Sequence, residues 1–155
     1  MYNEDYSEDF ARVSKPERLK GWHLLLHILL WIWELPQNLI GLILYANIKD
    51  NGGQQYIYTL MIGGKVHEAK FVHLSAFPGG ITLGEYTVIG GKWDEEDVRH
   101  EYGHVRQSRM LGWLYLLVIG IPSLWHAAWH DKLWLKSREY SHFWTESWAE
   151  ELGGM

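Results

Sequence analysis

The chain has 155 residues, enough for one domain with a core. It has no cysteine, which excludes disulfides and thiolate-held zinc and leaves histidine and carboxylate as the metal-ligating side chains. Net charge is -5 without a block of Lys and Arg, which argues against a nucleic-acid partner, while ten Trp and nine Tyr suit places with one apolar and one wet side, membrane interfaces included.

Residues 1–20 form a polar N-terminal segment, expected to be loosely attached. Its acidic opening lacks the basic, apolar and small-residue series of a cleavable signal peptide. From 21 to 48 only Glu34 carries a formal charge. The run 22–33 reads as a helix that Pro36 breaks or kinks, and a second apolar piece, 38–48, follows. Residues 55–61 and 65–74 read as strands around a Gly63-Gly64 turn, and 81–89 as a third strand closed by Gly90-Gly91. Asp94 sits where a helix N-cap belongs, with Glu95, Glu96 and Asp97 in the first turn, so a helix is predicted over 95–110. Residues 110–130 carry no formal charge. A last helix, 137–152, is expected to stop at Gly153-Gly154. The whole of 21–155 reads as one domain.

The helix over 95–110 carries the most specific pattern, His100-Glu101-Tyr102-Gly103-His104. Histidines at i and i+4 stand on one face and can grip one metal, with Glu101 beside them to take a proton from a water. A catalytic zinc site needs a third protein ligand and one open position. His126, His130, Asp131, His142, Glu146 and Glu150 are the downstream candidates. Glu146 is favoured, because Glu146 and Glu150 share a helix face: one can ligate while the other accepts the free ring N–H of a ligand histidine. His126 and His130 form a second H-x-x-x-H pair, read as interfacial residues of a Trp-rich segment. His23 and His27 read as residues of an amphipathic face rather than ligands.

H-E-x-x-H followed by a helix bearing E-x-x-x-D/E resembles the gluzincin clan, whose best-known fold is that of thermolysin. The stretches 100–108, 111–123 and 140–154 are also similar to a group of small bacterial proteins with H-E-Y-G-H-x-x-Q-S and Y-T-E-x-W-A-D-x-L-G-G patterns, and W-E-L-P-Q-N-L-I-G at 33–41 is similar to that group. The resemblance implies His100, His104 and Glu146 as ligands of one Zn²⁺ per chain, Glu101 as general base, and Glu150 as the acidic support of a ligand histidine where Asp is commoner. It also implies a sheet edge over the motif helix that pairs with extended substrate. Tyr140 and His142 are candidate transition-state stabilisers because they stand near Glu146.

The apolar stretches raise the question of a membrane. A straight helix over 110–130 would put His104 and Glu146 on opposite sides of a bilayer, where they could not share a metal. The segment is therefore expected to turn back at Gly120-Ile121-Pro122-Ser123 as a hairpin of 111–119 and 124–135 that packs in the core or dips into one leaflet. The first segment is expected to be a Pro36-kinked hairpin. Arg12, Lys15, Arg18 and Lys20 before it suit an anionic surface or a cytoplasmic side.

Together these features predict an α+β, minimal zincin-like domain: a three- to four-stranded sheet, an H-E-x-x-H helix, a C-terminal glutamate helix and two apolar helical hairpins. The function expected is a membrane-associated zinc metallopeptidase acting on peptide or protein, with its active site on the cytoplasmic side. The alternatives are a non-catalytic metal-, membrane- or partner-binding scaffold, a metal-assisted hydrolase of another bond, and a soluble cytoplasmic domain.

Overall fold

The computed structural model describes residues 11–13, 21–129 and 143–155, and they adopt an α+β fold. The sheet is mixed. Strands β2 (Gln54–Ile62) and β3 (Lys65–Leu74) form an antiparallel hairpin whose two-residue loop, Gly63-Gly64, has positive φ at both positions, as the turn that matches strand twist requires. Strands β4 (Gly80–Leu83) and β5 (Tyr86–Gly90) form a second hairpin, and β5 lies parallel to β3. A three-residue strand β1 (Ala11–Val13) extends β2, giving the order β1-β2-β3-β5-β4. Part of the segment expected to hang loose is thus paired to the sheet. The single strand expected over 81–89 is two strands. Gly84, at φ 67, turns the chain, and the Asn38 side chain fixes the turn by accepting the Glu85 N–H at 3.0 Å.

Strand alternation sends side chains to two faces. Tyr58, Leu60, Ala69, Phe71 and Ile89 pack on one face against Val98 and Tyr102 of helix α3 (Glu95–Leu111). On the other, Val72 and Val88 pack with Ile48 of helix α2 (Leu35–Asp50). Helix α1 (Trp22–Trp33) precedes α2 and meets it at 96°, a corner rather than a hairpin, with Pro36 in the first turn of α2 where no helical N–H is lost. Asp94 caps α3 by accepting from the N–H groups of Glu96 and Asp97, and Asp97 returns the bond to the Asp94 N–H.

After α3 and a tight 3-10 turn, Gly112–Leu114, the chain bends by 116° into the segment that begins at Leu116. The bend stands earlier than the Gly120-to-Ser123 turn expected. Residues Leu116–Gly120 instead wind as a π-helix that runs into helix α4 (Ile121–Trp129). Pro122 lacks an N–H and crowds the preceding turn, and the wider π turn accommodates it. The second arm of the expected hairpin falls largely outside the described residues. Helix α5 (Trp144–Gly153) closes the chain at Gly154, which is left-handed at φ 80.

Candidate metal centre

Helices α3 and α5 cross closely and antiparallel. Gln107 meets Thr145, Gly103 meets Ala149, and Arg99 meets Gly153. Two glycines make the approach possible: a Cβ on Gly103 would collide with the Ala149 carbonyl, and one on Gly153 with that of Arg99. The crossing puts Glu146 of α5 over the motif face of α3.

Three ligand-type atoms converge there. His100 Nε2 lies 3.2 Å from Glu146 Oε2, His104 Nε2 lies 3.3 Å from it, and the two nitrogens are 3.2 Å apart. These form the one group of three or more His, Asp or Glu side chains with metal-ligating geometry among the described residues. A tetrahedral ion with bonds of about 2.0–2.1 Å sets its ligand atoms about 3.3–3.4 Å apart, so the triangle matches one face of such a site. Its donor set, two imidazoles and one carboxylate oxygen, leaves a fourth position free.

The surrounding groups fix two of the ligands, His104 and Glu146. The Nδ1–H of His104 donates to Gln107 Oε1 at 2.7 Å, which fixes the ring with Nε2 facing the site, and the Gln107 amide donates to Thr145 O at 2.8 Å. Ser123 Oγ of α4 and Thr145 Oγ1 both donate to Glu146 Oε1, at 2.5 and 2.9 Å, leaving Oε2 for the triangle. Burial pushes the Glu146 carboxyl up, but its bonds from His100 and His104, with the charge of His104, outweigh burial and hold it well below the usual carboxylate range. Burial alone would lower His104; the Glu146 bond and the charges of Glu101 and Glu146 raise it instead. The cluster is built to hold positive charge.

Glu101 is buried beside the triangle, under strand β4. Thr82 Oγ1 donates to Glu101 Oε2 at 2.6 Å. Gly80 leans on the other oxygen so closely that a Cβ there would collide with it. Among the described residues β4 is the sheet's edge, pairing only with β5. The Gly90 N–H bonds Gly79 O, so ladder alternation turns the main-chain groups of Gly80 and Thr82 toward the open side. Tyr115 occupies one of them by donating to Thr82 O at 2.9 Å, and burial first, then the charges of Glu101 and Glu146, keep its phenol protonated. A groove of about 640 Å³ runs between α1 and the sheet, lined by His23, His27, Tyr86, Tyr102 and Arg109 among others, and reaches Glu101.

Of the residues singled out from sequence, His100, Glu101, His104 and Glu146 come together. Glu150 is partly buried and makes no hydrogen bond to His100 or His104; Gln107 takes the place beside His104, because α5 presents Ala149 and Gly153 to α3 one and two turns beyond Glu146. His126 stacks on Phe143, with centroids 4.3 Å apart, outside the triangle. Tyr140, His142, His130 and Asp131 lie outside the described residues. The sequence reading missed Gln107, Thr82, Ser123 and Tyr115. Only Gln107 left a signal, its i+3 spacing from His104 on one helix face.

Comparison with protein-family models, with curated proteins and with solved structures finds no match for this chain.

Proposed function

We propose that this chain is a zinc-dependent metallopeptidase of gluzincin type, with His100, His104 and Glu146 as ligands and Glu101 as general base. The observation that carries the reading is the triangle of ligand atoms with edges of 3.2, 3.2 and 3.3 Å, assembled from two helices, with hydrogen bonds to Gln107, Ser123 and Thr145 holding His104 and Glu146 in place.

When bound, zinc supplies Lewis acidity to a scissile carbonyl and an acidified water. Glu101 takes a proton from the attacking water and hands it to the leaving amine. The Thr82 hydroxyl occupies Oε2 and orients the carboxylate, so the proton is handled at Oε1. An extended peptide pairs with the main-chain groups of Gly80 and with the Thr82 N–H on the edge of β4, the Thr82 carbonyl being held by Tyr115; this pairing supplies affinity tolerant of side-chain sequence. The groove that ends at Glu101 takes the substrate's flanking residues.

The test combines metal content by elemental mass spectrometry with turnover of a mixed fluorogenic peptide library. Wild type should hold about one zinc per chain; Glu146→Ala should lose it, and Glu101→Gln should keep zinc while losing turnover. A wild type that takes up no zinc when it is offered, or a Glu101→Gln chain that cleaves as fast as wild type, would sink the reading. Zinc without turnover in wild type would favour a metal-bound scaffold.

A further inference from the structure

Helix α1 has no buried residue. Trp22, Leu24, Leu25, Ile28, Leu29 and Ile32 are all exposed. At about 100° per residue, the exposed apolar side chains from Leu24 round to Trp33 sweep roughly 180° of the helix surface. That is nearly twice the stripe with which a helix packs on a protein core. The remaining side turns His23, Leu26, His27 and Leu30 to the groove. A second apolar limb leaves the domain at the bend after α3, where Trp113, Leu114, Leu117, Ile121, Leu124 and Trp125 are exposed.

The two limbs spring from one junction. Trp33 Nε1 donates to Arg109 O at 2.9 Å, and Trp113 Nε1 returns a bond to Ile32 O at 2.8 Å. The Gln37 amide donates to Gly112 O at 2.8 Å, and Asn38 donates to Trp31 O at 3.0 Å. Gly112 lies so close to the Trp33 indole that a Cβ would collide with the ring. The carbonyls at a helix end are ordinarily left to water. Here Trp31, Ile32, Arg109 and Gly112, at both bends, have theirs sealed by side-chain donors. Such sealing is demanded where backbone polar groups sit next to hydrocarbon.

We infer that the two limbs are a monotopic membrane anchor, seated in one leaflet of a bilayer. A protein partner covers a stripe of about 100°, whereas lipid covers an arc of about 180°. No single described helix is long and apolar enough to cross a membrane. Twelve residues of α1 rise about 18 Å, well short of a hydrocarbon core of about 30 Å, so the limbs lie within one leaflet. The Lys and Arg residues at positions 12, 15, 18 and 20, just before α1, match anionic headgroups. The anchor does not depend on the metal or on turnover.

Because the chain lacks cysteine, any introduced one is a unique label site. The full chain should float with vesicles of phosphatidylethanolamine and phosphatidylglycerol. The double substitution Leu25→Glu/Leu29→Glu should weaken flotation at least tenfold, whereas Val66→Glu, at an exposed position on the distal β2–β3 hairpin, should not. The altered positions are exposed, and unchanged zinc content and thermal midpoint check that folding survives. Nitroxides at Ile28→Cys and Leu117→Cys should collide with oxygen and be shielded from a water-soluble nickel quencher, with the reverse at Val66→Cys. Wild type left at the bottom of the gradient, flotation indifferent to the double substitution, or nickel access at Ile28 equal to that at Val66 would each overturn the inference. A stable soluble oligomer that ignores vesicles would overturn it too and assign the limbs to a second copy of the chain.

Discussion

Replacing Gln107 with leucine keeps side-chain bulk and removes both of its hydrogen bonds, 2.7 Å to His104 Nδ1 and 2.8 Å to Thr145 O. Gln107 is fully buried, so water cannot substitute for either bond. Two buried groups left without partners cost about 1–3 kcal/mol each before relaxation, and a loss of about 2–4 kcal/mol of stability is expected. His104 also loses the acceptor that holds its ring and tautomer. Outer partners of ligand histidines typically contribute 10–100-fold in metal affinity, or about 1.4–2.7 kcal/mol. Zinc competition against a chromophoric chelator reads the affinity, and thermal unfolding with and without zinc reads the linkage. Gln107→Glu separates the roles: its carboxylate still accepts from His104 but cannot donate to Thr145 O, so stability should fall while zinc affinity holds. Glu150→Ala should change affinity by less than about twofold, because its side chain bonds neither ligand ring. A tenfold loss in Glu150→Ala together with unchanged affinity in Gln107→Leu would refute the assignment of the supporting role to Gln107.

Gly80→Ala places a methyl against Glu101, whose Cδ would lie 2.8 Å from the new Cβ, so the carboxylate must shift by roughly 1 Å. Turnover should fall about 100-fold with zinc content unchanged, and full turnover would remove Glu101 from the proposed role. Gly103→Ala pushes a methyl into the Ala149 backbone, which cannot yield as a side chain can. It should cost about 1–3 kcal/mol in a denaturant titration and open the ligand triangle, with zinc lost in parallel; a stable variant that keeps zinc would contradict the crossing geometry. Burial is the main influence that raises the pKa of Glu34, against the Ser108 bond that lowers it. A carboxyl raised on folding contributes stability that is full below its unfolded pKa, about 4.3, and is lost as pH rises through the folded value. Glu34→Gln should therefore raise the thermal midpoint at pH 8 by a few degrees relative to wild type and remove the fall in stability that begins as pH rises above about 4.3; an unchanged slope would count against a strained buried carboxylate.

The parts of the site legible in the sequence are those set by one helix. Asp94 and the acids after it fix where α3 starts, and the four-residue spacing of His100 and His104 then places two ligand atoms on one face without any tertiary contact. Glu146 was within reach because its chemistry and spacing to Glu150 fit a ligand helix, yet which of the two acids points inward depends on how α5 crosses α3. That crossing is set by Gly103 and Gly153, whose role is an absence of atoms and leaves no periodic signal. The division of 81–89 into two strands was illegible for a similar reason: the apolar run is continuous, and the turn at Gly84 is held by Asn38, a residue 47 positions away from the Glu85 whose N–H it accepts. The bend after α3 depends likewise on Trp33 reaching Arg109 across 76 positions. These long-range contacts converge on one arrangement. The edge strand brings Thr82 to Glu101, the bend brings Tyr115 to Thr82, and the helix after the bend brings Ser123 to Glu146. The base and the third ligand are therefore oriented by groups that follow the bend after α3, the one from which the second apolar limb rises. A change that opened the Trp33–Gly112 junction would disturb the limbs and the metal centre together.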